Sequence, residues 1–128
     1  MSLFAVAGCT NSADLALVDV KTCLAPSQSG CGAEQVVFGR DAGEIFVTAV
    51  LNNAPSDTKV DFAWKFVDGR QDIDTVTLTA DRAGASNLQA SLPKPTFEGG
   101  WPAGDYEVQI KVQNHPELPL IRKTFSVQ

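Results

Sequence analysis

The sequence is poor in the basic residues that nucleic-acid and membrane surfaces attract. Its 128 residues hold only 10 Lys and Arg against 15 Asp and Glu, and the formal net charge is −5. Nucleic-acid binding depends on clustered basic side chains, whereas those of this chain are scattered. An acidic surface is also repelled by anionic lipid headgroups. We therefore expect no nucleic-acid partner, and any membrane association must have a source other than charge.

Long hydrophobic runs and internal repeats are missing as well. No apolar stretch of the sequence is long enough to cross a bilayer, and no repeat or coiled-coil heptad occurs. A length of 128 residues with 44% hydrophobic composition is typical of one globular domain that can bury a core without a metal.

Recognisable catalytic motifs are the third absence. The single histidine, His115, lies in the turn-like segment 114–117, and no nucleophile elbow, phosphate-binding glycine loop or zinc-protease helix motif occurs. The acidic segment 68–74 lacks the spacing of an EF-hand and contains Arg70, which favours a solvated turn over a calcium site. We predict no catalytic residue, metal or cofactor. Carboxylates that meet only in space are invisible in a sequence, so an enzyme with an unfamiliar site stays open. A deep pocket with two carboxylates, or His115 beside a carboxylate, would favour it.

The count of three cysteines is odd, and the first of them has its own explanation. The box Val6-Ala7-Gly8 directly before Cys9 resembles the end of a bacterial lipoprotein signal peptide. The resemblance implies cleavage before Cys9, lipid on its sulfur and a location in the bacterial cell envelope, periplasmic or surface-facing. Residues 1–8 lack the basic region of such signals, and we interpret them as a remnant. The alternative is a chance cysteine in a frayed segment. We assign residues 1–13 to signal remnant, box and tether, and 14–128 to the folded domain.

The other two cysteines are predicted to form a disulfide. Cys23 and Cys31 bracket a loop rich in Pro, Ser and Gly that can bend back on itself. Closing so short a loop contributes about 2.5 kcal/mol in the chain-entropy model. Zinc is the rival use of two cysteines, but it would need further ligands. A disulfide also agrees with an oxidising compartment outside the cytoplasm.

Alternation of apolar and polar residues predicts strands along most of the chain. In segment 60–66, Phe62, Trp64 and Phe66 fall on one face, and we expect them in the core with Tyr106, Val108 and Ile110. Turn residues separate the segments. The predicted strands are residues 14–22, 44–51, 60–66, 74–80, 86–92, 106–112 and 118–127.

From residue 51 onward the chain resembles bacterial immunoglobulin-like or fibronectin-III-like modules. Trp64 lies in the third predicted strand, where such sandwiches bury a tryptophan, and residues 101–108 resemble their W-P-x-G-x-Y-x-V stretch. The resemblance implies that the Tyr106 hydroxyl bonds back to nearby backbone. It also implies a single antiparallel immunoglobulin-like sandwich of about seven strands. Cys23 and Cys31 both precede the second predicted strand, so they cannot form the inter-sheet bridge of antibody domains.

The function expected from these features is a non-enzymatic, lipid-anchored envelope module that binds a protein or another envelope component. The alternatives are a polysaccharide-binding module or the enzyme mentioned above. An exposed Trp101 or Phe97 would favour the polysaccharide, because a flat aromatic ring can stack on a sugar. Trp101 could also contact a protein partner, but we favour a core role for it because large aromatic side chains are mostly buried.

Overall fold

The computed structural model describes residues 15–93 and 100–128, and within these ranges the chain forms strands and no helix. Seven strands correspond to the seven predicted segments, with shifts at their ends, and one short strand was not predicted. The strands are β1 (Ala16–Cys23), β2 (Val37–Phe38), β3 (Ile45–Ala54), β4 (Lys59–Phe66), β5 (Gln71–Thr79), β6 (Gly84–Leu92), β7 (Gly104–Val112) and β8 (Ile121–Val127).

These strands form two sheets that share one hydrophobic core. The order is β1-β3-β6 in the three-stranded sheet and β2-β8-β7-β4-β5 in the five-stranded sheet. Every pairing is antiparallel except that of β2 with β8. Buried residues of both sheets belong to the same cluster, so the architecture is sandwich-like.

The centre of the five-stranded sheet confirms the predicted register. Phe62 of β4 lies opposite Ile110 of β7, and Trp64 lies opposite Val108. The Trp64 side chain is only 1% exposed, whereas Phe66 is half-buried at the end of its strand. A slip of one residue would have turned all of these side chains to water, so the alternation in the sequence was sufficient to fix the buried face.

The strand ends were predicted less well. Residues 52–54 were expected to form a turn after the second strand, but β3 continues through them and pairs Ala54 with Gly84. The reason is a bulge at Asn53, whose φ of 60° lies in the left-handed region that asparagine tolerates. The acidic segment 68–74 is likewise only partly a turn, because β5 already begins at Gln71.

Candidate binding surface

The predicted disulfide between Cys23 and Cys31 is present, with the two Cα atoms 5.9 Å apart. The loop that it closes, residues 23–31, packs on the outer face of the three-stranded sheet. The backbone N–H of Cys31 donates to Oγ1 of Thr48 on β3 at 3.0 Å, and Nε2 of Gln89 on β6 donates to the Ser27 carbonyl at 2.5 Å. Thr48 is therefore buried although it points away from the core. This loop covers part of that face of the molecule.

The outer face of the five-stranded sheet carries a trough of about 570 Å³ where β2, β8 and β7 meet the residue that follows β4. Its floor is polar, because outward positions of β7 and β8 hold carboxylates and hydroxyls. Its walls are exposed valines on opposite sides of that floor. The residues lining it are Val36, Val37, Val67, Asp105, Tyr106, Glu107, Lys123, Thr124, Phe125 and Ser126.

The short strand β2 forms one wall of the trough. Val37 pairs with Ser126 in parallel, and the Ser126 N–H donates to the Val36 carbonyl at 2.8 Å. On the other side, the Val67 N–H donates to the Asp105 carbonyl at 2.8 Å. Both walls are thus held by backbone hydrogen bonds, which makes the trough a feature of the sheet itself and not of loose side chains.

Glu107 is the most enclosed carboxylate of the floor. Its side chain is 14% exposed, and its Oε1 accepts from Gln109 Nε2 at 3.0 Å and lies 3.5 Å from Nη1 of Arg122. Both contacts end on Oε1, and no donor among the described residues bonds Oε2. The carboxylate is thereby held in place with one oxygen available to a ligand.

Several charges on or beside this face have a neighbour of opposite sign. Lys65 Nζ lies 2.6 Å from Asp72 Oδ1 on the outer face, and Lys123, which lines the trough from β8, pairs with Glu34. Asp61 Oδ1 accepts from the Thr77 hydroxyl. Although the whole chain is acidic, the outer face of the five-stranded sheet therefore carries charges of both signs together with hydroxyls.

Trp101 and Tyr106 close the end of the core next to the trough. Trp101 Nε1 donates to the Ala42 carbonyl at 2.8 Å, and the side chain is 1% exposed. As the sequence analysis favoured, Trp101 is a core residue, and its buried indole is not placed to contact a partner.

The Tyr106 hydroxyl donates to the Pro102 carbonyl at 2.6 Å, the bond that the family resemblance implied. Burial raises the pKa of Tyr106 to about 12, and the nearby Arg40 opposes this rise.

His115 lies beside a carboxylate, the arrangement that would favour an enzyme. Its Nδ1 is 3.0 Å from Glu117 Oε2 in the turn between β7 and β8. The hydrogen bond from His115 lowers the pKa of Glu117. Glu117 is well exposed, so water competes with the histidine for it, and the pair is explained by the turn itself.

The acidic segment 68–74 does not form a metal site with other described residues, among which no group of three potential ligands comes together. Its carboxylates serve the local structure instead. Asp68 Oδ2 accepts from the Asp105 N–H, Asp72 pairs with Lys65, and Asp74 Oδ1 accepts from the Thr75 N–H.

Two residues singled out in the sequence, Cys9 and Phe97, lie outside the described residues. The structure therefore does not test lipid attachment at Cys9 or an aromatic platform at Phe97. In the described part of the chain, no helix has the length and apolar character needed to cross a membrane.

The sequence analysis did not predict the trough, although part of its signal is present in the sequence. The predicted strands 106–112 and 118–127 already placed Glu107 and Thr124 on outward positions. What the sequence did not indicate was β2, because two paired residues produce no periodic pattern. Without β2 one wall of the trough is missing, and the floor resembles any solvated sheet face.

Comparison with known proteins yields structural likeness only. No protein-family model and no curated protein sequence matches the chain. A β-glucosidase from Erythrobacter marinus is similar at 10% identity with a TM-score of 0.54, covering 90% of this chain and 15% of that one. The C-terminal domain of wzt is similar at 12% identity with a TM-score of 0.50, covering 89% of this chain and 73% of that one. At such identities the likeness supports the all-β fold and says nothing of activity. The chain spans about 15% of the length of the glucosidase.

Proposed function

We propose that this chain is a non-enzymatic binding domain of the bacterial envelope, held at a membrane by lipid on Cys9. We also propose that its sandwich is of the immunoglobulin type. The strand order supports this: β1, β3 and β6 correspond to strands A, B and E, and β4, β7 and β8 to strands C, F and G. The bond of Tyr106 to Pro102 is a further mark of that type.

The observation that carries the binding function is the trough. One outer face of the molecule is partly covered by the disulfide loop, whereas the other holds a cavity of about 570 Å³ with apolar walls and a polar floor. A volume of this size lies within the usual range of ligand sites. Three exposed valines border it and offer apolar contacts to a ligand on both sides of the floor.

The carboxylates of the trough floor are better suited to binding a ligand than to catalysing a reaction. Asp105 and Glu107 stand two residues apart on one face of β7, so the trough contains two carboxylates. Gln109 Nε2 donates to Glu107 Oε1 at 3.0 Å, and Nη1 of Arg122 lies 3.5 Å from the same oxygen, so two neighbours hold this side chain in one position. A carboxylate fixed in this way suits the binding of ligand hydroxyl or N–H groups.

Membrane attachment is tested by fractionating cells that express the full-length precursor as wild type or as Cys9→Ser. We expect the wild type in membranes and Cys9→Ser in the soluble fraction, because acyl chains contribute about 0.8 kcal/mol per buried methylene. Equal membrane association of both forms would remove the lipid anchor from the proposal.

The binding face is tested by placing the photo-crosslinking residue p-benzoylphenylalanine at Val37 or, as a control, at Val18 in the lipidated protein. The two valines are 46% and 41% exposed and lie on the outer faces of different sheets. We expect adducts with an envelope component, a protein or a glycan, from position 37 and not from position 18. Adducts from position 18 alone, or from neither position, would contradict the assignment of the trough.

A further inference from the structure

We propose that the trough binds an uncharged carbohydrate chain. This inference rests on the proposed function, because it specifies the ligand of the same surface. The argument uses the chemistry of the floor, the nature of the walls and the charge of the sheet face, each of which a neutral sugar chain satisfies.

The floor offers the groups that recognise hydroxyls. Glu107 and Asp105 supply carboxylate oxygens, which accept from sugar O–H groups in strong charge-assisted bonds. Thr124 and Ser126 supply hydroxyls that both donate and accept. The free Oε2 of Glu107 is already oriented by the bonds that Oε1 makes with its neighbours. Preorganised acceptors of this kind lower the cost of binding a flexible polyhydroxylated ligand.

The walls match the other surface of a sugar. A pyranose ring presents C–H groups as well as hydroxyls, and Val37 and Val67 can pack against those apolar groups on either side of the floor. The row Val67, Asp105, Ser126 and Val37 crosses the sheet, and adjacent strands stand about 4.8 Å apart. Three such steps give a width of about 14 Å, which accommodates a short stretch of saccharide lying across the strands.

The charges around the trough favour an uncharged carbohydrate over an anionic one as its ligand. Lys65 is paired with Asp72, Lys123 with Glu34, and Arg122 contacts Glu107, so these three cations already have carboxylate partners. An anionic polymer would have to displace those carboxylates while approaching a chain of net charge −5. A neutral ligand does not have to displace these carboxylates and is not repelled by the net charge of the protein.

The test is titration of the ¹⁵N-labelled 128-residue chain with neutral hexasaccharides, followed by NMR. The probes are cellohexaose, maltohexaose and mannohexaose, and hexagalacturonate serves as the anionic comparison. We expect saturable shifts for Glu107, Thr124 and Ser126 amides with at least one neutral probe, at a Kd on the order of 1 mM, because the site is shallow. Hexagalacturonate should shift them less.

Variants then connect the shifts to the trough. Glu107→Gln keeps the shape of the side chain but removes its charge, and we expect roughly tenfold weaker binding. Asp81→Asn, which removes an exposed carboxylate outside the trough, should leave binding unchanged. Equal binding by wild type and Glu107→Gln would place the sugar elsewhere.

The remaining outcomes separate this inference from the function on which it rests. If no neutral probe shifts the trough amides while p-benzoylphenylalanine at Val37 still captures a protein, the surface is a binding site but its ligand is not a sugar. If hexagalacturonate binds more tightly than every neutral probe, the charge argument is wrong. If new reducing-end signals accumulate during the titration, the chain hydrolyses the sugar, and the non-enzymatic proposal fails instead.

Discussion

Tyr106 allows one prediction to be worked through quantitatively. Its hydroxyl donates to the Pro102 carbonyl at 2.6 Å, and the ring packs against Phe125 and Phe66 in the core. Tyr106→Phe removes the hydroxyl and little else, since the ring stays in place. At neutral pH we expect this variant to be about 1 kcal/mol less stable to unfolding, the usual net value of one hydrogen bond.

Alkaline pH should reverse that order. Burial raises the pKa of Tyr106 from 10.0 to about 12, so the folded protein binds the phenolic proton more tightly than the unfolded chain does. The stability from this group is complete below pH 10 and is lost as the pH rises towards about 12. By pH 11 the loss is about 1.4 kcal/mol, since it grows by 1.36 kcal/mol for each pH unit between the two pKa values. Wild type should then be no more stable than Tyr106→Phe, which has no proton to lose.

The assay combines urea unfolding of both proteins across this pH range with titration of the phenolate absorbance. The chain contains a single tyrosine, so that absorbance reports Tyr106 alone. Other groups that ionise at high pH are common to both proteins and cancel in the difference. A difference in stability that stays constant from pH 7 to pH 11, or a folded-state phenolate midpoint near pH 10, would refute the reasoning.

Three further predictions concern the core and the disulfide loop. Trp64→Ala should lower the free energy of unfolding by about 3–5 kcal/mol in urea denaturation, because it leaves a large cavity, and a loss below 1 kcal/mol would contradict its burial. Replacing both Cys23 and Cys31 by Ser should cost about 2.5 kcal/mol while the NMR spectrum stays that of a folded protein, since only one short loop is released. Thr48→Val should cost about 1–3 kcal/mol by leaving the buried Cys31 N–H without its acceptor, whereas Thr48→Ser should cost much less; equal effects would show that the hydroxyl is unimportant.

Much of the fold was predictable because its signals are local. The alternation around Trp64 identified the buried face of β4, since side chains of a strand alternate whatever the strand pairs with. The resemblance of residues 101–108 to a family motif implied that the Tyr106 hydroxyl bonds back to nearby backbone, and the structure shows that the acceptor is the Pro102 carbonyl. The disulfide of Cys23 and Cys31 was predicted from their short separation across a loop of Pro, Ser and Gly that can bend back on itself.

The candidate site was much less predictable, because its parts are distant in sequence. Val37 and Ser126 are 89 residues apart in the sequence, from 37 to 126, and only the parallel pairing of β2 with β8 makes them neighbours. Glu107 was already an outward residue of a predicted strand, but nothing in its own segment indicated the approach of Arg122. Cross-strand neighbours on the solvent face are set by pairing and not by hydrophobic pattern, so an outward polar residue gives no local sign of its partners.

The sequence by itself therefore determined which residues of β4 and β7 are buried, the closure of the loop from Cys23 to Cys31, and the acidic character of the chain. Only the tertiary structure decided that the disulfide loop packs on one sheet and that valines of two distant segments enclose a polar floor on the other. The physical reason is that burial of one face produces a periodic pattern of apolar residues along a strand, which can be read from the sequence. A surface site is made of residues from several strands, and the order in which the strands pair decides which of these residues become neighbours.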